Sequence, residues 1–166
     1  MVVVTVTALL AGVVLLYSSS TRTQIALSTE KVKLTQVVLR AKSLAISTYS
    51  DESVPCGFGL AIDPAARTYS LVRYAAGNCS VLTSVDVTPG NIVPVSNSTY
   101  TLPNTLTFDA SSPLRYVLFI PPDPRVLLAD DSGTLLSGTT GSVTLKSTDK
   151  NYQATISFNT AGQVTF

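Results

Sequence analysis

The first seventeen residues, MVVVTVTALLAGVVLLY, carry no charge, and from Val13 through Ser53 neither Gly nor Pro interrupts the chain. A single apolar segment that enters lipid must satisfy its own backbone polar groups, and the helix is the one-segment way to do so. Val2, Val3, Val4, Val13 and Val14 are β-branched and weak helix formers in water, but lipid removes that competition. The pattern predicts one continuous helix of about 45–48 residues, roughly 70 Å long at 1.5 Å per residue.

The two halves of that helix differ in composition. Leu27, Leu34, Val38, Ala41 and Ala45 recur at steps of seven, four and three, which puts them on one stripe suited to lying on a sheet. Lys31, Thr35 and Lys42 are expected on the opposite face. In the first half, Val3, Val6, Leu9, Leu10, Val13, Val14 and Leu16 form the expected membrane and assembly surface. Seventeen apolar residues are at the lower edge of a spanning helix, which needs about 20. A secretory signal would begin with cations, whereas the first cation here, Arg22, follows the apolar run. Hydrophobic residues make up 45% of the chain and charged residues 13%, so part of it is expected to sit in lipid or in a protein lattice.

Beyond Ser50 the pattern changes to short alternating runs separated by Gly, Pro, Asn and Asp, the mark of antiparallel strands. Strands are expected at 57–62, 68–74, 81–87, 100–108, 115–120, 141–146, 152–158 and 163–166. Asp63-Pro64-Ala65-Ala66 should turn the first hairpin, and Asn159-Thr160-Ala161-Gly162 the last. The fold class is therefore α+β, a long N-terminal helix packed on an antiparallel β-domain. Its expected divisions are a hydrophobic half-helix at 1–24, an amphipathic half at 25–50 and a β-domain at 51–166.

Histidine is absent, which removes the commonest general base and transition-metal ligand and leaves no Ser-His-Asp or Cys-His arrangement. Gly57-Phe58-Gly59 reads as close backbone approach within a strand, not as a phosphate cradle. Asp130-Asp131-Ser132-Gly133 lacks the alternating ligands and terminal glutamate of a calcium loop. Asn78-Cys79-Ser80 and Asn97-Ser98-Thr99 match a glycosylation pattern in polar loops, and Pro121-Pro122-Asp123-Pro124 reads as a stiff connection. Cys56 and Cys79 are too few for structural zinc and lack redox spacing; they read as one disulfide or as two buried thiols. The net charge of +1 supplies no global field for nucleic acid. No catalytic residue, cofactor, metal or small-molecule substrate is expected.

The opening MVVVTVTALLAGVVLL, the uninterrupted helix, YSLVRYA and ATISFNTAGQVTF resemble type IV pilin-like proteins, specifically the GspH/FimT family of minor pseudopilins. The resemblance covers the whole chain and is strongest at its ends. It implies that Cys56–Asp63 and Thr68–Arg73 form the first hairpin and that the domain closes with a hairpin like 159–166. It also implies a pilus or type II secretion pseudopilus subunit in the bacterial inner membrane, single-pass, with the β-domain on the extracytoplasmic side. Its partners would be other pilin or pseudopilin subunits. Family members open with a basic leader, a cleavage glycine and a Phe-Thr-Leu-Ile-Glu-like run, none of which is present, so Met1–Val4 corresponds to the stretch just after that opening. Two alternatives accompany this reading. One is a DNA-uptake subunit using Arg67, Arg73, Arg115 and Arg125 as a patch, and the other is an anchored β-domain that never assembles.

Overall fold

The computed structural model describes residues 2–48, 55–75, 79, 83–121, 125–149 and 151–165; within the helix, side chains are described for 3–7 and 21–48. A single helix, α1 (Val2–Ser47), runs for 46 residues. At its end Thr48 Oγ1 and Ser47 Oγ both donate to the Leu44 carbonyl, at 2.7 and 3.1 Å, beside the Thr48 amide, which bonds to the same oxygen at 3.1 Å.

Among the described residues nine strands follow: β1 (Gly57–Asp63), β2 (Thr68–Tyr74), β3 (Ile92–Thr101), β4 (Leu106–Phe108), β5 (Tyr116–Ile120), β6 (Arg125–Ala129), β7 (Thr140–Ser147), β8 (Gln153–Asn159) and β9 (Val164–Thr165). They form a five-stranded sheet in the order β3-β2-β1-β5-β6 and a four-stranded sheet in the order β4-β7-β8-β9. Every strand pair is antiparallel. In the β1–β2 turn, Asp63 Oδ1 accepts from the Ala66 amide at 2.9 Å, the local bond that makes Asp a turn former. Asn159 does the same at the β8–β9 turn, accepting from the Gln163 amide at 2.8 Å while Gly162 takes φ +74°.

The five-stranded sheet has a core on each face. On one side Leu60, Ile62, Tyr69, Leu71, Val117, Phe119, Val126 and Leu128 meet the helix and the four-stranded sheet, which contributes Leu106, Phe108, Val143, Leu145, Ile156 and Phe158. On the other side Val72, Tyr74, Leu118, Ile120, Leu127 and Ala129 are covered by Cys56 and by the loop that carries Val85 and Val87. Each fully buried Leu or Phe contributes about 1.5–3 kcal/mol, so both faces matter to stability.

Two expected strands are corrected. Residues 83–87 form a covering loop, not a strand, with Val85 buried and its amide bonded to the Gly133 carbonyl; 81–82 lie outside the described residues. The run 100–108 is divided into the end of β3 and β4 by a turn in which the Leu106 amide donates to the Pro103 carbonyl. Two strands were also missed. β3 contains Pro94 and a bulge in which β2 advances from Ser70 to Val72 while β3 retreats from Thr99 to Pro94. Both are tolerated at a sheet edge and both erase alternation. β6 is buried at every position from Val126 to Ala129 because both its faces meet core, so it shows no period of two.

Candidate functional site: the two faces of the long helix

Among the described side chains of α1, the buried ones are Thr23, Leu27, Glu30, Leu34, Val37, Val38, Ala41 and Ala45. At 100° per residue these positions share one side, which rests on β1, β2 and β5 of one sheet and β7 and β8 of the other. Glu30, only 3% exposed, is the acid within this apolar stripe. Its carboxylate accepts from the Tyr69 hydroxyl at 3.0 Å and from Lys33 Nζ at 2.7 Å, so the buried charge is paired and hydrogen-bonded. Burial first, and then the Glu30 charge, push the Tyr69 phenol well above its ordinary range. Tyr69 is also stacked on Tyr100, with ring centroids 5.3 Å apart, and meets Phe108 edge-on. Sequence reasoning passed over Glu30, although its spacing of three and four from Leu27 and Leu34 marks it as lying on the buried stripe.

The opposite face differs from expectation. Lys31, Thr35 and Lys42 are half-buried on its flank, and Lys42 donates to the Gly162 carbonyl at 3.4 Å. Directly opposite the sheets stand Ile25, Val32, Leu39 and Ile46, each 55–60% exposed and each seven residues from the next. Sequence reasoning found the buried stripe of Leu27, Leu34, Val38, Ala41 and Ala45 and missed the seven-residue repeat on the face opposite it.

Toward the start of α1, Val3, Val4 and Val6 are exposed, Val3 at 75%. Thr7 Oγ1 donates to the carbonyls of Val3 and Val4, both at 3.0 Å, so its hydroxyl is satisfied within the helix. The side chains of Leu9, Leu10, Val13, Val14 and Leu16 lie outside the described residues. Among the described residues no helix is long and apolar enough to cross a membrane.

Cys56 and Cys79 are disulfide-bonded across 5.2 Å between Cα atoms, joining the start of β1 to the segment after β2. The four arginines do not converge. Arg73 pairs with Phe58, and Phe58 with Phe119, while Arg125 pairs with Ile120, so Arg73 and Arg125 belong to one end of the five-stranded sheet. Arg67, in the β1–β2 turn, and Arg115, ahead of β5, belong to the other. Arg67 donates to Asn104 Oδ1 at 3.0 Å, and Arg115 to the carbonyls of Ser112 and Leu114.

The other chemistry is structural. Asp130 Oδ1 accepts from the Ser132 and Thr134 amides, each at 2.9 Å, and from the Ser132 hydroxyl, so it holds its own turn. These bonds, that of the Ser132 hydroxyl first, hold its carboxyl below the ordinary range. Asn97 adopts φ +58° at the β3 bulge, and the buried Ser98 hydroxyl donates to the carbonyls of Leu71 and Val95, a structural use of that Asn-Ser-Thr run. A cleft of about 530 Å³ lies among Asp63, Arg115, Tyr116 and Asp131, where burial, followed by Asp131 and Asp63, raises the Tyr116 phenol. It holds no paired nucleophile and base. Among the described residues no three His, Cys, Asp or Glu side chains gather as a metal site would require.

No protein-family model and no curated protein matches the sequence. Among solved structures, the chain is similar to the minor pseudopilin EpsH from the type 2 secretion system of Vibrio cholerae, with 15% identity and a TM-score of 0.49, over 84% of this chain and 94% of that one.

Proposed function

We propose that the chain is a non-catalytic filament subunit of the type IV pilin or pseudopilin kind. In this reading residues 1–24 anchor it in a bacterial inner membrane with the β-domain, 51–166, on the extracytoplasmic side. The same helix then carries it into a filament among other pilin or pseudopilin subunits. The observation that carries the reading is the division of one helix. Its second half is seated on both sheets from Thr23 to Ala45, whereas the described side chains of its opening, Val3 to Thr7, are exposed. A rigid rod with a domain clamped to one end leaves the other end for lipid or for neighbouring rods. The run of uncharged residues through Thr21 suits both environments.

The test is a charge in that run. Leu10→Lys costs about 2.5–3.5 kcal/mol at the middle of an apolar helix on insertion scales. Membrane association and helix-to-helix cross-linking in cells, read through single cysteines placed in 1–24, should be lost together while the β-domain stays folded. If the parent chain forms no such cross-links, an anchored domain that does not assemble replaces this reading. If Leu10→Lys cross-links like the parent, the helix is not the assembly element.

A further inference from the structure

The face of α1 turned away from the sheets is a seam with its own chemistry. Ile25, Val32, Leu39 and Ile46 stand in line at steps of seven, half or more exposed, separated by polar side chains such as Thr29, Gln36 and Ser43. A repeat of seven keeps one edge of a helix facing a second helix over several turns, because 3.5 residues per turn is the period of knobs-into-holes packing. A lipid surface instead selects a broad apolar face with large side chains, which this single file is not.

The charges on either side say what kind of helix fits. Helical geometry at 100° per residue places Arg22, Lys33 and Arg40 along one side of the seam and Lys31 and Lys42 along the other. From Thr21 to Thr48 the sole acid in the sequence is Glu30, buried on the opposite face and ion-paired with Lys33, so the five cations of that stretch meet one acid. A second copy of the same face would set cations against cations across a narrow seam, and like charges there are repulsive.

We propose that this seam docks an amphipathic helix of a different chain, one with apolar residues in heptad spacing and Glu or Asp along its flanks. The inference deepens the reading of the chain as a helix-assembled subunit by naming the chemistry of its neighbour. It concerns residues 25–46, not the uncharged run before them.

The experiment uses the full chain in neutral detergent and two synthetic 28-residue helices with identical leucine seams, one flanked by glutamates and the other by lysines. Fluorescence anisotropy at low salt should show the glutamate peptide binding at least tenfold more tightly than the lysine peptide, the gap narrowing as salt screens the flanks. The double variant Val32→Gln, Leu39→Gln alters two exposed positions with good helix formers, and its circular dichroism should match the parent. Binding of the glutamate peptide should fall at least tenfold in that variant. Equal binding of both peptides, no binding of either, or binding that the double variant retains would each overturn the proposal. So would seam-dependent binding to phosphatidylglycerol vesicles in place of the peptide. Cross-linking of the parent separates the two readings: peptide binding without cross-links sinks assembly alone, and cross-links without peptide binding sink the seam alone.

Discussion

Glu30 shows how one polar residue can fix the seating of a long rod. Sliding α1 by one residue would turn this carboxylate about 100° away from Tyr69 and leave a buried charge short of a donor. Removing only the donor, Tyr69→Phe, keeps the ring contacts with Tyr100 and Phe108 and strands one carboxylate oxygen. The expected loss is about 1–3 kcal/mol in chemical denaturation. The same variant has a pH signature. The phenol's folded-state pKa is raised, so its contribution is full below the ordinary value of about 10 and declines as pH rises above it. Stability of the parent should therefore fall over the alkaline range from about pH 10 upward more steeply than that of Tyr69→Phe. Equal slopes would remove Tyr69 from the account. Neither the carboxylate nor the phenol could be matched from sequence, since they are 39 positions apart and a buried acid looks like any surface acid until its neighbours are placed.

At the scale of elements, the strands that were legible are those with one wet face. β8 alternates between exposed or half-exposed Gln153, Thr155 and Ser157 and the more buried Ala154, Ile156 and Phe158, and the β1–β2 turn announces itself through Asp63-Pro64. β6 and the loop at 83–91 were not legible for a common reason: the second core on the outer face of the five-stranded sheet hides polarity in one and gives the other a buried valine. Gly133 pins that loop. A Cβ there would sit 2.0 Å from the Val85 carbonyl oxygen, at φ +82°, whereas Gly90 shares the positive φ, at +101°, but faces open space. Gly133→Ala should therefore cost more than Gly90→Ala by about 1–3 kcal/mol, the usual range for forcing atoms into packed space, when the two midpoints are compared. Equal costs would mean that the loop yields freely. The Cys56–Cys79 bond works on the same loop from its other end and is worth about 3 kcal/mol for a closure of this length.

For the whole molecule, the boundary between rod and domain can be located by burial. Among the described side chains of the helix Thr23 is the first that is buried, so a chain beginning at Thr21 keeps every helix-to-sheet contact among them and one beginning at Ile25 does not. The 21–166 chain should be monomeric without detergent and should unfold in one cooperative transition with the midpoint of the full chain. Loss of cooperativity on circular dichroism would show that the first twenty residues support the domain. The helix and its buried stripe were legible in the sequence because the spacing of Leu27, Leu34, Val38, Ala41 and Ala45 is a local pattern. The orientation of the seam was not, because it depends on which of two apolar stripes the sheets select.

The strand order also dictates a sequence of events during synthesis. β1 stands between β2 and β5, and Phe58 waits for Phe119, so one edge of β1 stays open until about sixty further residues have been made. Closing so long a loop is slow relative to a local hairpin, and pairings of this kind place a domain among those that fold in milliseconds to seconds. The β1–β2 hairpin is thus the first piece of the five-stranded sheet that can be complete, and its open edge is the one on which β5 later docks.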